Sequence, residues 1–216
     1  MDMIQPHAEP MSPPPRLLIR ALIVLFIVGT TGGALSPWLL VEAPLLLVAF
    51  SPLPRHVLMV APQVDFLPLL AIVVLRRQLA CVVAYFVGET YGERAIAFVQ
   101  GRRPWLGRWL RKLMEWFGQA GILLLLLAPN LTAIFAGARR MRMAIFVPAS
   151  LLGQIWVATA TYYLGDSLRD YIDPVIAFVR EHTGVLTVSM VAIVGVRHWV
   201  RSRRRGRRTR DKLHPE

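Results

Sequence analysis

Three stretches of this chain carry no charged side chain over a length that could cross a bilayer. Residues 21–41 run 21 positions without Asp, Glu, Lys or Arg, and residues 116–138 and 143–165 run 23 each. About 20 apolar helical residues span roughly 30 Å of hydrocarbon. A water-soluble core has no need of such runs. The chain is 55% hydrophobic yet carries a net charge of +12, and its charges are gathered at the edges of the apolar runs. It therefore reads as an all-α, polytopic membrane protein. A cleaved secretory signal is the rival reading of the first run, which follows Arg16 and Arg20. That run is too long for a signal's apolar core, and further membrane segments follow it.

The basic residues orient the loops, because Lys and Arg concentrate in short cytoplasmic segments. Residues 197–216 hold nine basic side chains against Asp211 and Glu216, and residues 93–115 hold six. Residues 166–182 instead carry Asp166, Asp170, Asp173 and Glu181 against Arg169 and Arg180. The first two regions are expected in the cytoplasm and the third outside, with both termini cytoplasmic. Directly after a membrane segment, a basic tail fits positive-inside retention and anionic lipid better than nucleic acid, and no nucleic-acid partner is expected. Lys112 and Lys212 are the only lysines among the 25 basic residues, an arginine bias that fits a GC-rich bacterial genome, and the expected location is a bacterial cell membrane. The stretch PWLGRWLRKLMEWF from Pro104 is expected to form an amphipathic helix in the cytoplasmic interface. Trp105, Trp109, Trp116 and Phe117 would share one face, with Arg108, Arg111, Lys112 and Glu115 opposite. A soluble amphipathic helix covering a small domain is its alternative.

A second pattern divides the chain. AYFVGE at 84–89 recurs as TYYLGD at 161–166, an offset of 77. The match extends upstream, where EAPLLLVAFSP at 42–52 lies over QAGILLLLLAP at 119–129, so that Pro52 pairs with Pro129. Each copy has two short apolar runs broken by Pro or Gly, then a longer run ending in Tyr-x-x-Gly. Runs of 8–10 residues are too short to span, but can dip in and return where protein covers their backbone. The expected fold is two inverted repeats, at about 42–92 and 119–166, each a re-entrant hairpin (residues 44–62 and 122–138) plus a spanning helix (66–88 and 143–165). Residues 21–40 and 185–200 would supply flanking spans. The membrane domain then covers residues 17–200, between an N-terminal cytoplasmic segment (1–16) and a basic tail (201–216).

The second copy, APNLTAIFAGARRMRMAIFVPASLLGQIWVATATYYLG, resembles the DedA family, also called the VTT or SNARE-associated Golgi protein domain. The matching residues are Pro129, Ala136, Gly137, Met141, Phe146, Gly153, Trp156, Tyr162 and Gly165. The first copy is similar in Pro52, Pro54, Tyr85, Gly88 and Gly92. The resemblance implies a protein that moves lipids across bilayers, as a scramblase or a polyprenyl-phosphate flippase, in some members coupled to the proton gradient. The chain departs from the family pattern in three places. Arg55 and His56 follow Pro54 where the family has an acid, Cys81 stands where an acid often precedes the first tyrosine, and no arginine flanks Pro129.

The candidate head-group ligands are arginines, whose planar fork grips phosphate through two hydrogen bonds. Arg76 and Arg77 lie midway along residues 66–88, and two placements stay open: at membrane depth facing a cavity, or at the outer surface if the span begins near Gln78. Arg139 and Arg140 are expected at the cytoplasmic interface. Arg55 is a further candidate, and Glu42 is a candidate partner for one of the arginines. Cys81 lies in an apolar run and is read as packing. GDSL at 165–168 copies the name of an esterase motif, but it closes a membrane helix rather than sitting at a soluble α/β sheet. Asn130-Leu-Thr matches a glycosylation sequon inside an apolar hairpin. No His, Cys, Asp and Glu grouping has metal-ligand spacing, and no cofactor is expected. On the resemblance, the chain is read as a translocase of membrane lipid, either an anionic phospholipid or a polyprenyl phosphate, and not as an enzyme. A non-transporting membrane scaffold and a membrane-embedded hydrolase are the alternatives.

Overall fold

The computed structural model describes residues 15–102 and 104–196; most of the N-terminal segment and all of the basic tail lie outside the described residues. Every regular element among them is helical. In chain order these are α1 (Pro15–Ala34), α2 (Ser36–Glu42), α3 (Pro44–Phe50), α4 (Pro54–Val60) and a single 3₁₀ turn at Ala61–Gln63. Then come α5 (Phe66–Arg102), α6 (Pro104–Leu127), α7 (Pro129–Ala138), α8 (Met143–Ser167), α9 (Arg169–Glu181) and α10 (Thr183–Val196). Prolines account for most of the boundaries. Pro37, Pro44, Pro54 and Pro129 each occupy the first or second position of a helix. There the missing N–H would have had no intrahelical partner anyway, while the residues before Pro44, Pro54 and Pro129 are pushed out of helical geometry.

Among the described residues three helices are long and apolar enough to cross a membrane: Arg16–Ala34, Phe66–Gly92 and Met143–Ser167. Helices α9 and α10, which meet at an 85° bend, make a fourth if they are counted as one. Of the expected span at 185–200, residues 185–196 lie in α10, and residues 197–200 lie outside the described residues. The expected first span ends early, because Leu35 leaves helical geometry just before Ser36-Pro37. The helix expected to close at Gly88 instead continues to Arg102, and its span-length apolar part ends at Gly92. No proline interrupts it before Pro104, and Gly88 and Gly92 serve close packing rather than helix termination.

Both segments expected as hairpins are broken. Residues 44–62 form α3 and α4 with a non-helical joint at 51–53, and residues 122–138 break at Ala128 between α6 and α7. The offset of 77 recurs in this geometry. Ser51 (φ −136°, ψ 81°) corresponds to Ala128 (φ −143°, ψ 62°), and both precede the paired Pro52 and Pro129. Ala43 (φ −149°, ψ 67°) corresponds to Ala120 (φ −120°, ψ 21°), a non-helical residue inside α6. Helices α5 and α8 begin at Phe66 and Met143, again 77 apart.

The packing follows the same correspondence. Val48 and Leu125 are both fully buried, as are Leu69 and Phe146, and each pair is separated by 77 positions. One core gathers α2, α3, α4 and the start of α5 around Ala158 of α8; the other gathers α6, α7 and the start of α8 around Cys81 and Tyr85 of α5. Each core therefore takes its last wall from the other half of the chain.

The amphipathic part of α6 differs from expectation. Met114 and Phe117 are buried against the protein, while Trp105, Trp109 and Trp116 are exposed beside Arg108 and Lys112. Phe117 therefore does not share the tryptophan face.

Candidate functional site

The Tyr-x-x-Gly motifs dock the two halves on each other. The Tyr85 hydroxyl donates to the carbonyl of Met141, just before α8. The Tyr162 hydroxyl donates to the carbonyl of Val64, just before α5, at 3.3 Å. Donors and acceptors are each 77 positions apart, so the two bonds are reciprocal. The glycines act in the same way. Gly88 lies against the Ile134 carbonyl and Ala138 of α7, Gly92 against Ala138, and Gly165 against the Leu58 carbonyl and Ala61. Gly137 abuts the Tyr85 carbonyl, and Gly153 the Leu125 carbonyl. Such approaches bring helix backbones into contact, which is how helices associate where burial of apolar surface offers little drive. Of the motif residues, Trp156 is 62% exposed on α8, and Pro54 is exposed at the start of α4.

Between α1, the α3–α4 joint, α5 and α7 lies a cavity of about 540 Å³. Its apolar wall includes Leu25 and Phe26 of α1, and its polar side includes Arg76, Arg77, Cys81 and Asn130. Helix α5 is continuous from Phe66, so both arginines sit about 15 Å along an apolar helix and not at its start. Arg77 is only 3% exposed. Its Nε donates to the Pro52 carbonyl at 2.9 Å, a carbonyl that the α3–α4 break leaves without a helical partner. Its Nη1 is buried with no partner. A guanidinium at membrane depth costs at least about 2.5–3.5 kcal/mol on insertion scales, which makes a buried one with an unpartnered nitrogen the strongest candidate for a functional position.

The position equivalent to Arg77 in the second half is Gln154, fully buried. Its Nε2 donates to Asn130 Oδ1 at 3.0 Å and lies 3.0 Å from Cys81 Sγ, while Cys81 donates to the same Asn130 oxygen at 3.2 Å. Gln154 Oε1 has no partner. One turn away, Gln78 Nε2 donates to Ser150 Oγ at 2.9 Å. In each half, a buried polar side chain near the middle of the long helix thus reaches back to the broken joint of its own segment. A neutral polar network, Cys81–Asn130–Gln154, continues from the wall that holds Arg77.

The other candidates are scattered. Arg139 donates from Nη2 to the Met114 carbonyl at 2.8 Å, tying α7 to α6, and its Nε is buried without a partner. Arg140 is exposed and left-handed (φ 50°) where α7 ends. The Met141 N–H bonds the Ala136 carbonyl and the Arg140 N–H bonds the Gly137 carbonyl, a Schellman turn whose αL position usually holds glycine. Arg55 donates to His56 Nε2 at 3.3 Å beside a smaller cavity of about 200 Å³ against Met190. His56 is buried, its Nδ1 is 2.9 Å from the Ser51 carbonyl, and burial pushes its pKa below the ordinary 6.5. Glu42 is exposed at the end of α2 and makes no ion pair among the described residues, where the recorded pair is Arg169–Asp166. The expected Glu42–arginine pairing is therefore absent from this arrangement.

Ser167 donates its hydroxyl to the Tyr163 carbonyl one turn back. Among the described residues no group of three or more His, Cys, Asp and Glu comes together to hold a metal. Asn130, Gln154 and Cys81 escaped the sequence reading as site residues. The signal available was the offset itself, which sets Gln154 against Arg77. Scans against family models, curated proteins and solved structures return no match to this chain.

Proposed function

We propose that this chain is a DedA-type membrane protein that translocates an anionic phospholipid or polyprenyl phosphate, with the head group held in the cavity at Arg76 and Arg77. The observation that carries this reading is the Arg77 guanidinium: 3% exposed, bonded through Nε, and with Nη1 unpartnered beside a cavity that has one apolar wall. A phosphate oxygen is the acceptor that a planar, permanently charged fork suits best. The apolar wall on α1, where Phe26 is 67% exposed, leaves a lipid tail free to stay in the bilayer.

In this reading the two halves are inverted repeats, each with a re-entrant hairpin. The 77-residue correspondence of joints, buried positions and tyrosine bonds supports that arrangement. Inverted repeats put the substrate at the interface between two broken segments, and rocking of one unit against the other alternates access. The joints at Ser51 and Ala128 are the hinge positions. Both termini and residues 101–116, around the start of α6, face the cytoplasm of a bacterial cell membrane, with residues 167–182 outside, as the basic residues dictate.

The test is reconstitution in liposomes containing fluorescent phosphatidylglycerol or a fluorescent polyprenyl phosphate. Protein-dependent transfer between leaflets is expected for at least one of them. Transfer no faster than in protein-free vesicles for both would leave the scaffold reading.

A further inference from the structure

Among the described residues, those lining the cavity at Arg77 include no acid. From α1 the cavity receives Leu25, Phe26, Gly29 and Thr30, and from the α3–α4 joint Ser51 and Pro52. The charged or titratable groups near it are Arg76 and Cys81 on α5, with Arg55 and His56 on α4 behind the Ser51 carbonyl. Helices α7 and α8 add the neutral amides of Asn130 and Gln154. The thiol proton of Cys81 is engaged with Asn130 Oδ1. Among the described residues no carboxylate lies within ion-pair distance of either arginine. A buried cation of this kind needs a counter-charge from somewhere, since the interior screens it poorly.

Resting on the assignment of this cavity to the head group, we propose that the bound anion is itself the counter-charge of Arg77, so that the site fills and empties without exchanging a proton. Cys81 is the residue that sets this behaviour. It stands four positions after Arg77, one helical turn on and on the same face. An acid there would pair with Arg77 within the chain, compete with the ligand, and make occupancy depend on its own protonation.

The experiment uses the full-length protein in neutral detergent, with dihexanoyl phosphatidylglycerol as the anionic probe and dihexanoyl phosphatidylcholine as the zwitterionic one. The phosphodiester keeps its charge between about pH 7 and 8.5, and His56 stays neutral over that range. Ligand-induced thermal stabilisation and binding isotherms are read at both ends. The anionic lipid is expected to stabilise and the zwitterionic one not, with the parent Kd unchanged within about twofold. One linked proton would instead move it about tenfold per pH unit. Cys81→Asp should weaken anion binding about tenfold or more, which is about 1.4 kcal/mol, with tighter binding at the lower pH. An unchanged unfolding midpoint of ligand-free Cys81→Asp shows that the substitution is tolerated. If it unfolds instead, the parent's pH comparison and the two-lipid comparison still decide.

Equal stabilisation by the two lipids, a tenfold parent shift between the two pH values, or parental binding by a folded Cys81→Asp would each overturn the proposal. Binding that meets these expectations in a protein that moves no lipid in vesicles would sink the transport reading alone. Transport with proton-linked binding would sink this one alone.

Discussion

Replacing Gly137 by alanine tests whether the two halves of the chain are held by direct backbone contact. A Cβ built at Gly137 falls 1.8 Å from the Tyr85 carbonyl oxygen and 2.9 Å from the Glu89 nitrogen, whereas contacts under 3.4 Å are already tighter than nine in ten real ones. Helix α7 would have to retreat from α5 by about 1.6 Å, and both clashing atoms are backbone, so no side chain can rotate away. Overpacking of this kind costs typically about 1–3 kcal/mol. The retreat also stretches the Tyr85–Met141 bond, worth about 0.6 kcal/mol inside a membrane protein. Against this, alanine is the better helix former by roughly 0.5–1 kcal/mol. The net is a loss of about 2 kcal/mol, or roughly 4–8 °C in unfolding midpoint for a chain of this size. Gly33→Ala is the control, since nothing lies within 4 Å of its Cβ, and there the propensity gain stands alone. The two substitutions should therefore move the midpoint in opposite directions, read by intrinsic fluorescence from the six tryptophans in detergent. A Gly137→Ala protein that melts at or above the parent would refute the close approach of α5 and α7.

Tyr85→Phe and Tyr162→Phe should each cost about 0.6 kcal/mol. Their effects should add, because the two hydroxyls share no partner; strong coupling in the double variant would count against two separate reciprocal bonds. Arg140→Gly should stabilise by about 1 kcal/mol, because it relieves the left-handed backbone at φ 50°, and thermal unfolding that shows a loss instead would mean the arginine makes a contact that outweighs its strain. His56, buried and bonded to the Ser51 carbonyl, should make stability pH-dependent. Its pKa is lowered on folding, so its neutral form is stable above the ordinary value of 6.5 and stability is lost as pH falls below it. The unfolding midpoint should drop between about pH 7.5 and 5.5 in the parent and stay flatter in His56→Asn; an equal slope in both would clear His56 of the effect.

Much of this architecture was legible because its causes are local. Charge-free runs at 21–41 and 143–165 marked helices α1 and α8, and Pro44, Pro52, Pro54 and Pro129 marked the breaks through their own backbone constraints. The offset of 77 was visible in Tyr85 and Tyr162, and the structure carries it into paired joints at Ser51 and Ala128. What escaped depends on distant partners. Gly88 looks like a helix end, but it is a glycine because Ile134 and Ala138 press on it from α7, and α5 runs on to Arg102. Glu42 looked like a counter-ion because it is near the first copy in sequence, yet it is exposed at the end of α2. Asn130, Cys81 and Gln154 carry no periodic or charge signal. They form a network only because α5, α7 and α8 converge, and a sequon match and an apolar run had offered simpler explanations for two of them. The tryptophans of α6 misled in another way. Helical periodicity groups apolar residues, but it does not say which of them face protein, and here Met114 and Phe117 do.

The central claim is that Arg77 holds an anionic head group during its passage, and leaflet-to-leaflet transfer in liposomes tests it most directly. Parent, Arg77→Gln, Arg77→Lys and Arg180→Gln would be reconstituted at equal density with fluorescent phosphatidylglycerol. Arg180 is exposed on α9, is not among the residues that line the cavity, and serves as the control for lost positive charge. Transfer should fall to the protein-free rate in Arg77→Gln, recover in part with lysine, which lacks the planar fork, and stay at the parent rate in Arg180→Gln. Parent-like transfer by a folded Arg77→Gln protein would contradict the account at its centre.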